Sequence, residues 1–286
     1  GAGPQRMNRL VVQQAAAGLV DHLLATVPDA AEAGVLIGYD ARRKSDAFAL
    51  DTARVCAAKG VRAMLFDRTV PTPVLAWNIT HLAAAAGVMV TASHNPWHDN
   101  GVKVFAAGGA KLTSDLEQRI EAAIDPSPVS MVDVTVIDER SSYVAHLLDG
   151  REPLDGLRVV IDCANGSMSV VAPAVFAALG ADVVSLHSDP DGRNINDACG
   201  ATHTAALERA VVEHGASLGL AFDGDGDRLA RLPADGIRAA PRRRRLRLAV
   251  PVVPADAVRR HLRRSLEPSP PARGHAGVLD DAVVHT

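Results

Sequence analysis

Short apolar runs rich in β-branched residues alternate along this chain with longer stretches of helical periodicity, which favours a parallel α/β arrangement over an all-β or all-α one. Val35 to Tyr39, Val61 to Phe66 and Val88 to Thr91 read as strands, with helices near Asp46 to Ala58 and Pro73 to Ala84 between them. Val102 to Phe105 reads as a further strand. A helix is expected from Ser114, with Glu117 three residues on at a capping-box spacing. Val132 to Ile137 and a helix near Ser141 to Leu148 close the first unit, and a boundary is expected near Gly150 to Gly156. The second unit opens with a strand from Leu157 to Asp162, turns at Asn165-Gly166 and continues through a helix to about Leu179. Ala181 to Leu186 and Leu218 to Phe222 read as strands, and Ala205 to Glu213 as a helix. After Arg228 the pattern collapses. The remainder has no aromatic residue, seven prolines, the run Arg242 to Arg245 and at most helical fragments such as Ala255 to Leu266.

A length of 286 residues with 48% hydrophobic content suits two ordinary domains. The expected division is residues 1–150, residues 151–232, and a poorly ordered Arg/Pro-rich tail over 233–286. The net charge of −3 hides an asymmetry, because residues 231–286 carry 12 Arg against 5 acidic residues, so the body is acidic and the tail basic. A solvated charge cluster explains the Arg242 to Arg245 run. A nucleic-acid site would want aromatics or a recognisable module beside it, so no nucleic-acid partner is expected. Cys56, Cys163 and Cys199 are odd in number and widely spaced, which argues against a disulfide framework or a zinc site and for a reducing cytoplasm. No apolar run spans a bilayer. Leu10 to Val27, interrupted by Gln13, Gln14, Asp21 and His22, reads as an amphipathic helix and not as a signal peptide.

Two loops carry the chemistry, and each follows an apolar strand, where open α/β sheets place ligands. In the first, Thr91-Ala92-Ser93-His94-Asn95-Pro96, a serine hydroxyl sits on a turn fixed by Pro96. Taken alone this reads as a structural turn, since a serine is a poor nucleophile until its proton is removed or it is already phosphorylated. In the second, Asp223-Gly224-Asp225-Gly226-Asp227-Arg228, three carboxylates at alternate positions beside two glycines converge on a hard cation better than they form a solvated turn. A calcium loop of EF-hand type fits poorly, because its sixth position is Arg228 where glycine is expected and its twelfth Ala234 where a bidentate Glu is needed. Magnesium completed by a phosphate oxygen fits, with Arg228 beside it to hold a phosphate or sugar oxygen. His203 and Asn165 read as cap and turn residues.

These loops resemble the α-D-phosphohexomutases, whose members carry T-A-S-H-N-P and D-G-D-G-D-R. The resemblance extends to Gly38-Tyr39-Asp40-Ala41-Arg42, Pro71-Thr72-Pro73, Asp99-Asn100-Gly101-Val102-Lys103 and Asp162-Cys163-Ala164-Asn165-Gly166, in that order, over about Gly3 to Arg228. The first half is similar to phosphoglucomutases and phosphomannomutases. Asp162 to Gly166, Asn194-Ile195-Asn196 and Leu218 to Arg228 are more similar to phosphoglucosamine mutases.

The resemblance implies two successive mixed-sheet α/β domains and reversible transfer of phosphate between the 1- and 6-positions of a hexose phosphate, through a hexose 1,6-bisphosphate. It implies that Ser93, carried as phosphoserine, donates and recovers the phosphoryl group. Asp223, Asp225, Asp227 and the Ser93 phosphate would bind Mg²⁺. Arg42 and Lys103 would add positive charge or move protons, and Asn95 and Arg228 would contact substrate. His94 is either an acid/base or a residue that orients the loop.

The family has four domains, and neither its G-E-x-S-G sugar-recognition loop nor its upstream G-T-x-G-x-R segment is found in this sequence. The expectation is therefore a truncated or frameshifted mutase lacking the third and fourth domains, with impaired turnover. A residual phosphohydrolase and a noncatalytic α/β remnant or interaction module are the alternatives. The sugar and the oligomeric state are not readable from the sequence.

Overall fold

The computed structural model describes residues 7–122, 124, 132–134 and 136–233, and the backbone of 247–249. The Asn8 side chain accepts from the Val11 N–H at 3.1 Å and so satisfies one orphan donor at the start of α1 (Arg9–Thr26). This helix buries Val12, Ala16, Leu19, Val20 and Leu23 along one face. Among the described residues no helix is long and apolar enough to cross a membrane. The chain continues through α2 (Ala30–Ala33), β1 (Val35–Tyr39), α3 (Ser45–Ala58), β2 (Ala63–Phe66), α4 (Thr72–His81) and β3 (Ala86–Val90). Then come β4 (Val102–Ala106), α5 (Ser114–Ala122), β5 (Val136–Ile137) and α6 (Arg140–Leu148). A second series holds β6 (Arg158–Asp162), α7 (Met168–Ala178), β7 (Asp182–Leu186), a 3₁₀ turn (Gly200–Thr202) and α8 (Ala205–Glu213). It ends with β8 (Leu218–Phe222), β9 (Arg228–Pro233) and β10 (Arg247–Ala249).

These strands form two five-stranded sheets, ordered β4-β3-β1-β2-β5 and β10-β9-β8-β6-β7. In the first, β3, β1, β2 and β5 are parallel and β4 returns antiparallel to β3. In the second, β8, β6 and β7 are parallel and β9 returns antiparallel to β8. Both are mixed sheets built on a parallel core. Each has a topological switch point, between β1 and β3 and between β6 and β8, where successive connections leave in opposite directions. Ligands bind at the carboxyl ends of strands flanking such points.

The strands are apolar because helices cover them. Leu36, Phe66, Leu75, Ile79 and Met89 of the first sheet and its helix share one buried cluster with Val159, Ile161, Val171, Leu218 and Leu220 of the second. A separate cluster joins α1 and α3 to the other face of the first sheet through Val20, Ile37, Phe48, Leu65 and Val88. The approach of α4 to β3 depends on Gly87, since a Cβ there would lie 2.2 Å from Ile79 Cδ1.

Four expectations need correction. Arg228 to Pro233 continues the pattern as β9: its pairing with β8 comes from across the sheet and leaves no periodicity in its own residues. Only Val136–Ile137 forms a strand where Val132 to Ile137 was expected, because two residues are all that pair with β2. Strand β2 starts at Ala63, since the Arg62 N–H is taken by Ala31 O at 2.9 Å. Ser114 is itself helical, and the first bond runs from Glu117 N–H to Thr113 O at 3.0 Å, which shifts the capping position to Thr113. Apart from Pro233 and the short β10, the tail over 233–286, with its Arg242 to Arg245 run and the Ala255 to Leu266 fragment, lies outside the described residues.

Candidate active site

Strand β3 ends at Val90 and delivers Ser93 in a left-handed conformation (φ 50°), which its surroundings hold from several sides. The Ser93 N–H donates to Thr91 Oγ1 at 2.9 Å, and Thr91 Oγ1 donates to Asp40 Oδ2 at 2.7 Å. The buried Arg42 donates through Nε to Asp40 Oδ2 at 2.8 Å. Its Nη2 donates to Ser93 O at 2.5 Å, and its Nη1 to Asn95 O at 2.9 Å and Pro96 O at 2.6 Å. One guanidinium thus gathers the turn's carbonyls. Burial pushes the Asp40 carboxyl up, and Arg42, Thr91 and Ser45 counter this by favouring the charged form. Sequence reasoning places Arg42 near the serine, and so does the structure, but beneath the loop.

Strand β8 delivers the second loop against the first. Ser93 Oγ donates to Asp223 Oδ2 at 2.6 Å and lies 3.4 Å from Asp227 Oδ1. Asp225 Oδ2 accepts from Thr72 Oγ1 at 2.6 Å and from Lys103 Nζ at 2.7 Å, and Asp227 Oδ2 accepts from Lys103 at 2.6 Å. Burial would lower Lys103, but the charges of Asp225 and Asp227 and the hydrogen bonds they accept outweigh it and raise its pKa. Carboxylate oxygens of Asp223, Asp225 and Asp227 lie within 4.8 Å of one another. Burial first, then the charges of Asp225 and Asp227, push Asp223 up to about 7.

The loops meet backbone to backbone. A Cβ on Gly224 would sit 2.8 Å from Ser93 O. Asn196, also left-handed (φ 59°), donates from Nδ2 to Ser93 O at 2.9 Å and to Asn95 O at 3.0 Å. Asn95 Nδ2 donates to Asp99 Oδ2 at 3.2 Å.

Arg228 donates its backbone N–H to Asp223 Oδ1 at 3.0 Å and its Nη1 to His94 Nδ1 at 2.6 Å. A guanidinium has no acceptor, so Nδ1 is the lone pair and a neutral His94 carries its proton on Nε2. Burial and the Arg228 charge lower the His94 pKa and favour this neutral form. Arg42 also lines an open cavity of about 400 Å³ with Tyr39, Arg43, Lys44 and Arg68.

The predicted residues Arg42, Ser93, His94, Asn95, Lys103, Asp223, Asp225, Asp227 and Arg228 therefore come together in one place. Thr72 and Asn196 were missed as site residues. Both lie within the quoted motifs, yet a threonine beside prolines and an asparagine in a loop carry no local mark of the partners that folding brings.

The donor set fits a divalent cation. Three carboxylates converge, Asp225 Oδ1 is buried without a hydrogen-bond partner, and the charges of Asp225 and Asp227 add to burial in raising Asp223.

Fold and site together define an α/β protein of two mixed sheets, with a serine hydroxyl held against a carboxylate cluster suited to a hard cation. Models of phosphoglucomutase/phosphomannomutase α/β/α domains I and II match residues 1–128 and 141–236, and the chain belongs to this α-D-phosphohexomutase family. It is 49% identical over 178 residues to the phosphoglucosamine mutase of Salinispora arenicola, a match covering 58% of this chain and 39% of that protein. It is 44% identical over 210 residues to that of Rhodococcus erythropolis, covering 70% and 47%. The chain thus spans about half the length of these relatives or less. Among solved structures, a phosphoglucomutase/phosphomannomutase family protein from Burkholderia thailandensis is similar at 26% identity and a TM-score of 0.68, covering 82% of this chain and 53% of that one. A structure from Thermus thermophilus shares the fold at 23% identity and a TM-score of 0.72, covering 83% and 56%.

Proposed function

We propose that this chain carries the phosphoryl-transfer centre of a phosphohexomutase, which moves phosphate between the 1- and 6-positions of a hexose phosphate by way of a hexose 1,6-bisphosphate. Glucosamine phosphate is the preferred sugar, a choice supported by the phosphoglucosamine mutases among its relatives. The observation that carries the reading is the contact of Ser93 Oγ with Asp223 Oδ2 inside the three-carboxylate cluster.

Ser93 carries the phosphoryl group. In the forward step the P–Oγ bond breaks, a bond from phosphorus to a sugar hydroxyl oxygen forms, and the proton the sugar hydroxyl gives up is matched by one that Ser93 Oγ takes to become a hydroxyl again. The return step reverses this with the other end of the bisphosphate. Asp223, Asp225 and Asp227, with a phosphate oxygen on Ser93, would hold Mg²⁺, which offsets the negative charge on the transferring oxygens. Arg42 and Asn196 hold the Ser93 and Asn95 carbonyls, so the serine keeps its place as charge builds on the phosphate. Lys103, kept charged by Asp225 and Asp227, brings a positive charge to the carboxylates. His94 donates from Nε2 to a phosphate or sugar oxygen, with Arg228 fixing its tautomer, while Asn95 and the rest of the Arg228 fork contact the substrate.

Incubation with glucosamine 6-phosphate, Mg²⁺ and a catalytic amount of hexose 1,6-bisphosphate tests this reading, followed by phosphorus NMR and intact mass. The expected result is the 1-phosphate and a single phosphoryl adduct that Ser93→Ala abolishes. Free phosphate in place of sugar product would mean a hydrolase. An adduct that survives in Ser93→Ala, or no adduct and no turnover, would overturn the proposal.

A further inference from the structure

Away from the serine and aspartate loops, three side chains of different chemistry converge at the carboxyl end of the second sheet. Asp162 is the last residue of β6, His187 follows the last residue of β7, and Cys199 opens the 3₁₀ turn. The β6–β7 register pairs Asp162 with Leu186, so His187 emerges beside the carboxylate, and the return of the chain after Asn196 brings in Cys199. Donor atoms of all three lie within 4.8 Å of one another, and His187 Nδ1 is 3.1 Å from Asp162 Oδ1.

We propose that Asp162, His187 and Cys199 form a second metal site, selective for zinc, that fastens the loop carrying Asn196 to the end of β6.

The donor set is one carboxylate oxygen, one imidazole nitrogen and one sulfur. Zinc takes such mixed ligands tetrahedrally, whereas magnesium takes oxygens, so this trio and the all-carboxylate cluster at Asp223 select different cations. The ligands are oriented as ligands usually are. Asp162 Oδ1 accepts from Ala164 N–H at 2.9 Å and Oδ2 from Gly200 N–H at 3.0 Å, which fixes the carboxylate and leaves lone pairs over. His187 Nδ1 is shut off from solvent, yet has no partner of hydrogen-bonding geometry. Asp162 and Cys199 are buried, while the His187 side chain is 31% exposed, so one side stays open for water as the fourth ligand.

The spacing of the cysteines argues against zinc, but the fold draws on one cysteine and takes the other two ligands from strand ends 37 and 12 residues before it. His187 and Cys199 bracket the loop that presents Asn196 to the Ser93 and Asn95 carbonyls. A cation tying both ends of this loop to β6 would hold Asn196 in place.

The test uses the full chain, stripped with chelator and titrated with Co²⁺ in excess Mg²⁺ so that the oxygen-only cluster is saturated. The expected result is one equivalent of Co²⁺ with a thiolate-to-cobalt charge-transfer band in the near ultraviolet, bleached by one equivalent of Zn²⁺. Cys199→Ser should remove the band, and His187→Gln should weaken Zn²⁺ binding by about 10–100-fold or more while circular dichroism stays native. If Cys199→Ser does not fold, the His187→Gln titration decides alone, because that side chain is part-exposed. A band that persists in Cys199→Ser, Zn²⁺ affinity unchanged in His187→Gln, or no Zn²⁺ retained against a micromolar competitor would each overturn the site and leave Asp162 and His187 as a simple pair. None of these readouts depends on mutase activity.

Discussion

Ser93 Oγ donates to Asp223 Oδ2 at 2.6 Å across 130 residues of sequence, which makes the two sheets one chemical unit. Phosphorylating Ser93 removes this donor and sets a group of about −2 charge beside three carboxylates. The phosphorylated chain should therefore depend on a cation far more than the unmodified one. In chelator its melting temperature should fall at least about 4 °C further than that of the unmodified chain, the shift that roughly 1–2 kcal/mol gives at this size. Millimolar Mg²⁺ should restore it. Equal chelator sensitivity of the two forms, read by differential scanning fluorimetry, would count against the shared centre.

Asp223 gives the cation a pH dependence of definite sign. Its carboxyl is pushed from 3.8 to about 7 in the folded chain, so that chain keeps a proton which the unfolded chain releases at lower pH. Without metal, this contribution to stability is fully present below pH 3.8 and is lost as pH rises through about 7. Metal binding needs the carboxylate, so Mg²⁺ affinity should increase about tenfold per pH unit up to pH 7 and level off above it. Calorimetric titrations at pH 6, 7 and 8 check this. A flat profile from 6 to 8 would mean that Asp223 releases no proton when the cation binds.

Where the chain's own residues carry the information, the sequence can be read closely. Val35 to Tyr39 and Ala205 to Glu213 match β1 and α8 residue for residue, since apolar runs and helical periodicity are local properties. Strand direction is not local: nothing in Val102 to Phe105 says that β4 runs antiparallel to β3. Arg228 to Pro233 hides a strand because its pattern is set by β8. The site divides in the same way. The three aspartates announce themselves by clustering and Ser93 stands out only beside them and the ordered family motifs, whereas Thr72 reaches Asp225 over 153 residues and Asn196 reaches Ser93 over 103.

Arg42 illustrates the cost of a buried hub. Its side chain and that of Asp40 are fully buried, and they form an ion pair at 2.8 Å. Arg42→Ala would leave Asp40 without its cation and strip a donor from the Ser93, Asn95 and Pro96 carbonyls. A loss of about 3–5 kcal/mol is expected, as for other broken buried pairs. Arg42→Lys should recover only part of it, because one ammonium cannot reproduce the planar fork. Urea unfolding measures both. A loss under about 1 kcal/mol in Arg42→Ala would show that the guanidinium is not needed beneath the loop.

Gly166 sets how close the aspartate loop can come to the turn after β6. A Cβ there would lie 2.3 Å from Gly224 O and 2.7 Å from Gly224 Cα, and those backbone atoms cannot rotate aside as a side chain would. Gly224 O is also held by Ser167, whose N–H donates at 2.9 Å and whose Oγ donates at 3.1 Å, so the loop has little freedom to retreat. Gly166→Ala should therefore cost about 1–3 kcal/mol, the range for overpacking, and weaken Mg²⁺ by displacing Asp223 and Asp225 on either side of Gly224. Gly108 is the control, since a Cβ there meets nothing within 4 Å and its φ is not positive. Gly108→Ala should stay within about 0.5 kcal/mol of the parent and leave Mg²⁺ affinity unchanged. Paired urea and calorimetric titrations of the two variants separate a crowded loop from a general loss of glycine flexibility. Similar behaviour of both variants would rule out the close approach at Gly166 as the determinant of the cation centre.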